Sequence, residues 1–577
     1  MENIFYIKES SEKFDAIVVG SGITGGWAAK ELCEKGLKTL MVERGRPVEH
    51  RKDYIGEGVK TWDMQNRGKV NLQLVEDQYS VQRKCYAFAD TTKNFFGNDR
   101  DLPYSTPSDK PFSWIRGNQL GGKSLIWARQ TYRWSDLDFT ANAIDGHGVD
   151  WPIRYKDLEP WYNYVERHAG ISGSVENIPV LPDSTFLPPF EMNTVEKVLK
   201  KKIEAAYPDR KLIIGRCAHL SKPAEHHIAQ GRIQCQARNE CYKGCSFGAY
   251  FSTQSSTLPA ALKTNNLKIA TNSVVHSVIY DKKTNRATGV RVIDSETMET
   301  REYFAKMIFL CASTLGTTQI MLNSTCETFP NGIANSSGVL GHYLMDHLYA
   351  AGASGRVEGH EDEYYSGRRP TSPYIPRFRN VIDKHPHFVR GYSLSGKAQR
   401  ENWEDFSHKP GFGADFKQRI RNAGQWNFGL QGSGEMLPRY ENAVSLHPTK
   451  KDKWGIPQLH IECSYSDNDL KMREDMANTA AEMLDTIGIK DIVKYNKSIN
   501  EWAPGLSIHE MGTARMGKDP KTSVLNAYNQ AHDVPNLFVT DGACMSSSAW
   551  QNPSLTYMAI TARACNYAAT QLKLGKI

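Results

Sequence analysis

The sequence predicts an α/β protein in which both ends of the chain form one domain and an inserted segment forms a second. Three observations predict this architecture. The chain begins with an apolar strand, a glycine-rich turn and a helix, which is the first unit of a doubly wound sheet. It ends with a buried strand and a helix that have a similar apolar pattern. Between about 346 and 500, short alternating strands and more aromatic, His, Pro and Gly residues are typical of an antiparallel sheet.

The glycine-rich turn has the spacing of a dinucleotide-binding fingerprint. Gly20, Gly22 and Gly25 follow the first strand and open the next helix. Gly20 permits the tight turn, Gly22 lets the backbone approach a pyrophosphate, and Gly25 lets the helix pack on the strand. A second apolar strand ends at Glu43, where an acidic residue binds ribose hydroxyls. The ordered set predicts a dinucleotide site rather than a chance glycine-rich turn.

The next elements can be placed in order along the chain. The loop 116–127 contains glycines that would let the backbone pass close to a flat or phosphorylated group. Residues 150–162 predict a turn and a helix that Asp157 caps. Residues 268–280 and 287–293 are each predicted to form one strand.

Three elements complete the chain ends. Residues 307–313 predict a buried strand followed by a helix. Residues 536–542 predict another strand, which ends in Asp541 and Gly542, and the last helix is expected from about Ser554 to Leu572.

The composition is that of an ordinary globular protein. Of 577 residues, 40% are hydrophobic and 23% are charged, and the formal net charge is +7. Without a basic cluster, this charge does not favour a nucleic-acid partner. No apolar run is long enough to span a membrane, and residues 1–9 lack the pattern of a signal peptide. We therefore expect a chain that neither crosses a membrane nor carries its own export signal. Its 11 cysteines are an odd number, and no disulfide framework is expected.

The order of these motifs resembles the glucose–methanol–choline (GMC) oxidoreductase family. The resemblance runs nearly end to end. It implies a Rossmann-like FAD-binding domain from residues 1–345 and 501–577, with an inserted antiparallel-sheet substrate-binding domain at 346–500. The segments that carry the resemblance are Gly20–Glu43, 116–127, 335–347, 509–517 and 541–553.

The resemblance also implies FAD as the cofactor and oxidation of an alcohol by hydride transfer to flavin N5. Val275 would contact the adenine through its backbone, and Asp541 and Gly542 would hold the flavin end. The FAD-binding residues implied in this way are Gly20, Gly22, Thr24, Gly25, Glu43, Arg44, Gly117, Asn118, Gly121, Gly122, Ser124, Val275, Asp541, Gly542 and Asn552.

Alcohol oxidation requires a base for the hydroxyl proton, and a neutral histidine can serve near pH 7. His509 and Asn552 fall on the positions of the family's catalytic pair. We expect His509 to be the base and Asn552 to align the substrate oxygen. Nothing in the sequence supports a similar role for His219, His226, His227, His342 or His347.

The loop after Gly122 departs from the Ser-Ser-x-x-Asn pattern of many family members. Here Lys123 and Ser124 are followed by Leu, Ile126 and Trp127, a form similar to the sugar-oxidising branch related to pyranose 2-oxidases. Those oxidases carry a flavin-linking His immediately before the Trp. Ile126 has no nucleophile, so FAD is expected to be non-covalent.

Cys235, Cys241 and Cys245 lie close together in a polar segment. Their spacing suits a soft metal or a cluster, although three thiols in an ordinary loop are the simplest alternative. Zinc would need a fourth ligand, for which the candidates are His226, His227 and Cys217. The spacing is similar to that of bacterial glucose and fructose dehydrogenases of the family, and this resemblance implies a 3Fe-4S cluster and a cytochrome c-type acceptor.

The leading hypothesis is therefore an FAD-dependent dehydrogenase for a pyranose sugar or glycoside. Glucoside 3-dehydrogenase is preferred to glucose 1-, gluconate 2- or fructose dehydrogenase. The alternatives are an oxygen-using sugar oxidase and a non-enzymatic flavin-binding subunit. Resemblance further implies a small subunit with an export signal and periplasmic location by co-export; a cytoplasmic enzyme is the alternative.

Overall fold

The computed structural model describes residues 12–363, 370–401, 410–422 and 424–577. The strands are β1 Lys13–Val19, β2 Thr39–Val42, β3 Ile213–Ile214, β4 Leu267–Ala270, β5 Ser273–Asp281, β6 Arg286–Asp294, β7 Thr300–Leu310, β8 His347–Leu348, β9 Ala351–Val357, β10 Pro373–Ile375, β11 Tyr392–Arg400, β12 Trp426–Glu435, β13 Ala443–Lys451, β14 Pro457–Glu462, β15 Lys490–Asn496 and β16 Leu537–Val539. The α-helices are Ile23–Glu34, Leu72–Gln78, Asp136–Phe139, Ala141–Asp145, Tyr155–Ala169, Thr194–Ala206, Glu225–Ala229, Leu258–Leu262, Thr314–Asn323, Gly413–Arg421, Asp467–Thr486 and Ser554–Lys573.

The first sheet has the strand order β4-β2-β1-β7-β6-β5, and β16 pairs with β7. Strands β4, β2, β1, β7 and β16 are parallel neighbours, whereas β5 and β6 form an antiparallel extension. The carboxyl ends of parallel strands lie at one edge of a sheet. This edge therefore brings together the glycine turn after β1, Glu43 after β2 and Asp541 after β16.

The second sheet is antiparallel, with the order β15-β9-β12-β11-β10-β3 and with β8 paired to β12. The helix Asp467–Thr486 packs on it and buries Met472, Met476 and Met483. The predicted combination of a Rossmann-like mixed sheet and a separate antiparallel sheet is confirmed. Strand β3 belongs to this second sheet although it precedes the predicted insertion 346–500 in the sequence. Composition alone did not indicate this contribution.

Two local predictions were wrong in detail. The segment 268–280 forms two strands rather than one, because Asn272 adopts a left-handed φ of 53° between β4 and β5. This turn lets β4 pair with β2 while β5 pairs with β6. The N-cap residue of the helix Tyr155–Ala169 is Arg154 and not Asp157. The carboxylate of Asp157 nevertheless takes part in the cap. Asp157 lies in the first turn, and its carboxylate accepts a hydrogen bond from the backbone N–H of Arg154 at 2.8 Å.

Among the helices in the described part of the chain, none combines the length and apolar character needed to cross a membrane.

Candidate active site

The glycine turn after β1 is packed against the strand β7 and its own helix. Gly20 has a φ of +94°, and a Cβ there would lie 2.4 Å from the carbonyl oxygen of Cys311. A Cβ on Gly25 would lie 1.9 Å from the carbonyl oxygen of Gly20. A Cβ on Gly22, in contrast, would meet no atom within 4 Å. Two of the glycines are thus required by packing, and the third leaves open space in front of the helix N-terminus.

Glu43 is bonded to the turn rather than left free. Its carboxylate accepts hydrogen bonds from the backbone N–H of Ser21 at 3.1 Å, from the Ser21 hydroxyl at 2.5 Å and from Gly45 N–H at 2.8 Å. Gly121 N–H donates to the Ser21 hydroxyl at 2.8 Å. Ser21 therefore joins the first glycine turn to the second glycine loop, a role that sequence reasoning missed because serine at this position carries no distinctive signal.

The second glycine loop lies directly against the first. Gly121 and Gly122 have φ values of +93° and +49°, and a Cβ on Gly122 would lie 3.3 Å from the Cα of Gly22. The Ser124 hydroxyl donates to the Gly121 carbonyl at 2.5 Å and accepts from Thr253 N–H at 3.1 Å. These bonds hold the loop in a shape that most side chains at the two glycines would prevent.

A single cavity at the sheet edge collects most of the FAD-binding residues expected from the sequence. Gly25, Asn118 and Gly121 do not line this cavity. Gly25 and Gly121 support the backbone of the two loops, and Asn118 accepts a hydrogen bond from Arg44 Nε at 3.2 Å. The expected residues that line it are Gly20, Gly22, Thr24, Glu43, Arg44, Gly117, Gly122, Ser124, Val275, Asp541, Gly542 and Asn552.

Asp541 is a buried residue in the wall of the cavity. Its carboxylate accepts hydrogen bonds from the Thr317 hydroxyl at 2.5 Å and from Ala543 N–H at 3.0 Å. Burial raises its pKa to about 6, against the lowering effect of these bonds and of Lys123. Lys123 also lines the cavity, and its ammonium pairs with the buried carboxylate of Glu510 at 3.1 Å. Lys123 and Glu510 therefore form an ion pair in the cavity wall.

His509 and Asn552 meet in the cavity, as their expected pairing requires. The Nε2 atom of His509 lies 3.3 Å from Asn552 Nδ2, and its Nδ1 atom lies 3.0 Å from Nδ1 of His347. An amide N–H of Asn552 donates to Nε2, so the ring proton of a neutral His509 is on Nδ1 and points to His347. This tautomer leaves the basic lone pair on the atom that faces Asn552.

Sequence reasoning found no support for His347, yet the structure places it directly behind His509. Its side chain is fully buried, and burial lowers its pKa to about 3. A neutral His347 can accept, through its Nδ1 atom, a hydrogen bond from the Nδ1–H group of His509. The sequence did contain a signal for this position. Asp346 and His347 are adjacent and lie in segment 335–347, which carries part of the family resemblance.

Asp346 fixes the backbone of the loop that carries His509. Its buried carboxylate accepts hydrogen bonds from the N–H groups of Gly505 at 2.7 Å, Ser507 at 3.2 Å and His509 at 3.1 Å. Burial and the nearby charge of Glu510 raise the pKa of Asp346 to about 6. Asp346 was also missed, because its partners are distant in sequence.

The pKa of His509 lies well below its usual value. Burial is the main cause, and the neighbouring His347 and Lys123 lower the pKa further. A histidine with a lowered pKa is neutral near pH 7 and can accept a proton. The geometry is thus that of a base facing a ligand cavity.

The three clustered cysteines line a second, smaller pocket together with His219 and Tyr250. Cys241 Sγ lies 3.7 Å from His219 Nε2, a neighbour that the sequence did not identify. Burial raises the pKa of Cys235 and of Cys245. Across the described ranges, no group of three or more His, Cys, Asp or Glu side chains is arranged to hold a single metal ion.

The candidates for a fourth zinc ligand have other partners. His226 and His227 contact the carbonyl oxygen of Arg167 through Nε2, at 2.8 and 3.1 Å. Cys217 Sγ lies 3.3 Å from the hydroxyl of Ser172. None of these three residues is therefore placed to complete a zinc site with the cysteines.

Comparison with known proteins agrees with the geometry of this site. Residues 14–349 match the N-terminal domain of the GMC oxidoreductases, and residues 438–561 match the C-terminal domain. The chain belongs to the GMC oxidoreductase family, whose members are FAD-dependent enzymes that act on CH–OH groups. The cavity fits FAD, because the open face at Gly22, the acidic Glu43 and the buried Asp541 all line it.

Several relatives are similar over different lengths. The 2-methyl-1,2-propanediol dehydrogenase of Mycolicibacterium austroafricanum is 27% identical over 97% of this chain and 95% of its own. The fructose dehydrogenase large subunit of Gluconobacter japonicus is 26% identical over 97% and 98%. A C-glycoside 3-oxidase of Arthrobacter globiformis is 29% identical over only 23% and 25%. The solved formate oxidase of Aspergillus oryzae RIB40 has a TM-score of 0.58 at 13% identity, over 98% of this chain and 99% of that one. The chain is accordingly a sugar or alcohol dehydrogenase or oxidase.

Replacing two glycines of the same turn by alanine should separate folding from FAD binding. Gly25→Ala should destabilise the protein by about 3 kcal/mol or more, because its Cβ overlaps the Gly20 carbonyl. Gly22→Ala should leave the Tm of the FAD-free protein unchanged and weaken FAD binding at least about tenfold, or 1.4 kcal/mol. Thermal unfolding and fluorescence titration with FAD would measure both effects. Unchanged FAD affinity in Gly22→Ala would contradict the placement of the phosphates.

The lowered pKa of His509 predicts the pH dependence of the reaction. Histidine is a base only when neutral, so the limiting rate of flavin reduction should fall only at pH values below 6.5. Lys123→Met should move this acid limb to higher pH, because the ammonium of Lys123 lowers the pKa of His509. Stopped-flow reduction at saturating substrate across a pH series would measure it. An acid limb at or above pH 6.5 in the unmodified enzyme would contradict the assignment.

Proposed function

We propose that this chain is an FAD-dependent dehydrogenase that oxidises a secondary hydroxyl of a pyranose sugar or glycoside, with C3 of glucosides as the preferred position. The observation that carries the proposal is the contact between His509 and Asn552 in the cavity that fits FAD. The choice of a sugar is supported by the similarity of the loop 121–127 to the sugar-oxidising branch. The choice of C3 is supported by the partial match to a C-glycoside 3-oxidase.

His509 acts as the base through Nε2. A substrate hydroxyl placed between the two side chains would replace their direct contact. It would donate its proton to Nε2 and accept a hydrogen bond from the Asn552 amide, which aligns it. The Nδ1–H bond to His347 holds the imidazole ring in place as the proton arrives. When bound, FAD supplies the acceptor for the hydride that leaves the carbinol carbon.

FAD is proposed to be bound without a covalent link. Glu43 would accept the ribose hydroxyls, the glycine turn would receive the pyrophosphate, and Asp541 and Gly542 would contact the flavin end. Ile126 lines the cavity at the position where the pyranose-oxidising relatives have a flavin-linking histidine, and it offers no nucleophile. Acid precipitation should therefore release the flavin from the protein.

Cys235, Cys241 and Cys245 are proposed to hold a 3Fe-4S cluster through which electrons leave to a cytochrome c-type protein. Support comes from the three thiols, which line one pocket in a polar loop. A small partner subunit with an export signal, and a periplasmic location, belong to the same proposal. The similar fructose dehydrogenase is named as a large subunit, which is consistent with a partner subunit for that protein.

An oxygen-using sugar oxidase is the second candidate function, and the partial similarity to a C-glycoside 3-oxidase favours it. Glucose 1-, gluconate 2- and fructose dehydrogenase activities remain alternatives within the dehydrogenase class. A screen of pyranoses and glycosides with an artificial dye acceptor, run without oxygen and compared with oxygen consumption, separates these candidates. Product analysis by NMR then identifies the oxidised carbon. The proposal fails if no pyranose or glycoside reduces the dye.

His509→Ala should slow flavin reduction by sugar by roughly 10²–10⁴-fold while FAD stays bound, because the base is lost. Asn552→Ala should cause a smaller loss. His342→Ala is the matched control, because His342 stacks on Tyr440 outside the cavity. Anaerobic stopped-flow absorbance would measure all three. Reduction of the His509→Ala flavin at the rate of the control would contradict the assignment.

Cys241→Ser should leave flavin reduction by sugar unchanged but slow electron transfer to a cytochrome acceptor. The unmodified protein, purified without oxygen, should contain about three irons per chain and give an EPR signal when oxidised. Cys326→Ser is the control, since Cys326 is a half-buried thiol that does not line the cysteine pocket. Full cytochrome activity in iron-free protein would contradict the proposed electron route.

A further inference from the structure

Arg129 lies in the wall between the FAD cavity and the cysteine pocket. It lines the FAD cavity, and its side chain is only 3% exposed. Its guanidinium carbon lies 5.0 Å from the ring centre of Tyr250, which lines the cysteine pocket, and 4.8 Å from that of Tyr242. One side chain is therefore close to both pockets.

The charge of Arg129 has no carboxylate partner among the groups that act on it. Its Nε and Nη1 atoms are buried and have no hydrogen-bond partner within the described residues. Burial opposes its charge, and the groups that raise its pKa are Cys241 first, followed by Tyr242, Tyr250 and Tyr86. Thiols and phenols are largely neutral near pH 7. A buried guanidinium left unpaired in this way costs several kcal/mol, unless an anion is present.

The backbone at Arg129 is also unfavourable for an ordinary residue. Its φ is +63°, in the left-handed region, which costs roughly 1–3 kcal/mol. The conformation is held by a hydrogen bond from Ala218 N–H to the Arg129 carbonyl at 2.9 Å. Local structure therefore keeps the guanidinium in the wall despite two energetic costs.

A second buried arginine acts on the same pocket. Arg232 is fully buried and donates to the carbonyl oxygens of Gly248 at 2.9 Å and Ala169 at 2.8 Å, which are neutral acceptors. Burial lowers its pKa to about 9, and Cys245 is the group that raises it. The carboxylate of Glu57, which is also close to Cys245, is paired with Arg238. The cysteine pocket thus has two buried cations that no carboxylate neutralises.

We infer that the cysteine pocket is built for a group of net negative charge, and that Arg129 and Arg232 balance this charge and raise the reduction potential of the group. The identity of the group as a thiolate-bound iron–sulfur cluster rests on the proposed function. Such a cluster becomes more negative when it accepts one electron, and a buried cation stabilises the reduced form more than the oxidised form. Arg232, which does not line the FAD cavity, would raise the potential of the cluster more than that of the flavin and would therefore favour electron transfer towards the cysteine pocket.

The test compares charge-removing and charge-keeping variants of the FAD-bound protein with its iron in place. Arg129→Gln should lower the midpoint potential of the cluster by about 59 mV or more, which is a tenfold fall in the equilibrium constant for one-electron reduction. Arg129→Lys should shift it less, because the charge remains. Arg154→Gln is the control, since Arg154 is half-buried, pairs with Asp150 and lines neither pocket. EPR-monitored redox titration measures the potentials.

A stability measurement distinguishes this role from ordinary packing. Arg129→Met should leave the Tm of iron-free protein equal to or above that of the unmodified protein, because an unpaired buried charge is removed. The same variant should lower the Tm of the iron-loaded protein. A loss of Tm in both forms, or an unchanged potential in iron-loaded Arg129→Gln, would overturn the inference and leave the cluster proposal standing. Unmodified protein that contains no iron would overturn both.

Discussion

The buried carboxylate of Asp346 is the interaction on which the catalytic end of the cavity depends. It accepts three backbone N–H groups from the loop 505–509, and the adjacent His347 contacts the side chain of His509. Two neighbouring residues thus fix both the backbone and the ring of the base. Removing the carboxylate would leave these three N–H donors without their acceptor, which costs about 1–3 kcal/mol for a buried donor such as that of Gly505.

Burial also sets the charge state of the site. Burial and the charge of Lys123 both lower the pKa of His509, which keeps the base neutral. Burial acts in the opposite direction on the carboxyl groups of Asp346 and Asp541 and raises their pKa values to about 6. Lys123 is paired with Glu510 beside these groups. His509 is therefore already in its neutral, basic form near neutral pH and can accept the proton of an alcohol directly.

Local signals could be predicted from the sequence, and long-range contacts could not. The turn from Gly20 to Gly25, the acid at Glu43 and the second sheet were recognisable because each depends on nearby residues or on composition. His347, Asp346, Ser21 and Arg129 were missed, because each acquires its role from partners far away in the chain. The break at Asn272 was missed for another reason. A single asparagine in an apolar run gives little indication that the backbone turns there, and only the separate pairing of β4 and β5 requires it.

The central claim is that a carbinol hydrogen of a pyranose ring leaves while His509 removes the hydroxyl proton. The most direct test is the rate of anaerobic, single-turnover flavin reduction by a methyl glucoside that carries deuterium at C3, compared with the unlabelled sugar and with a sugar labelled at C2. The account predicts that C3 deuteration slows the reduction, because that C–H bond breaks, and that C2 deuteration leaves the rate unchanged. Equal rates for the C3-labelled and unlabelled glucosides, or no reduction of the flavin by any glycoside, would contradict it.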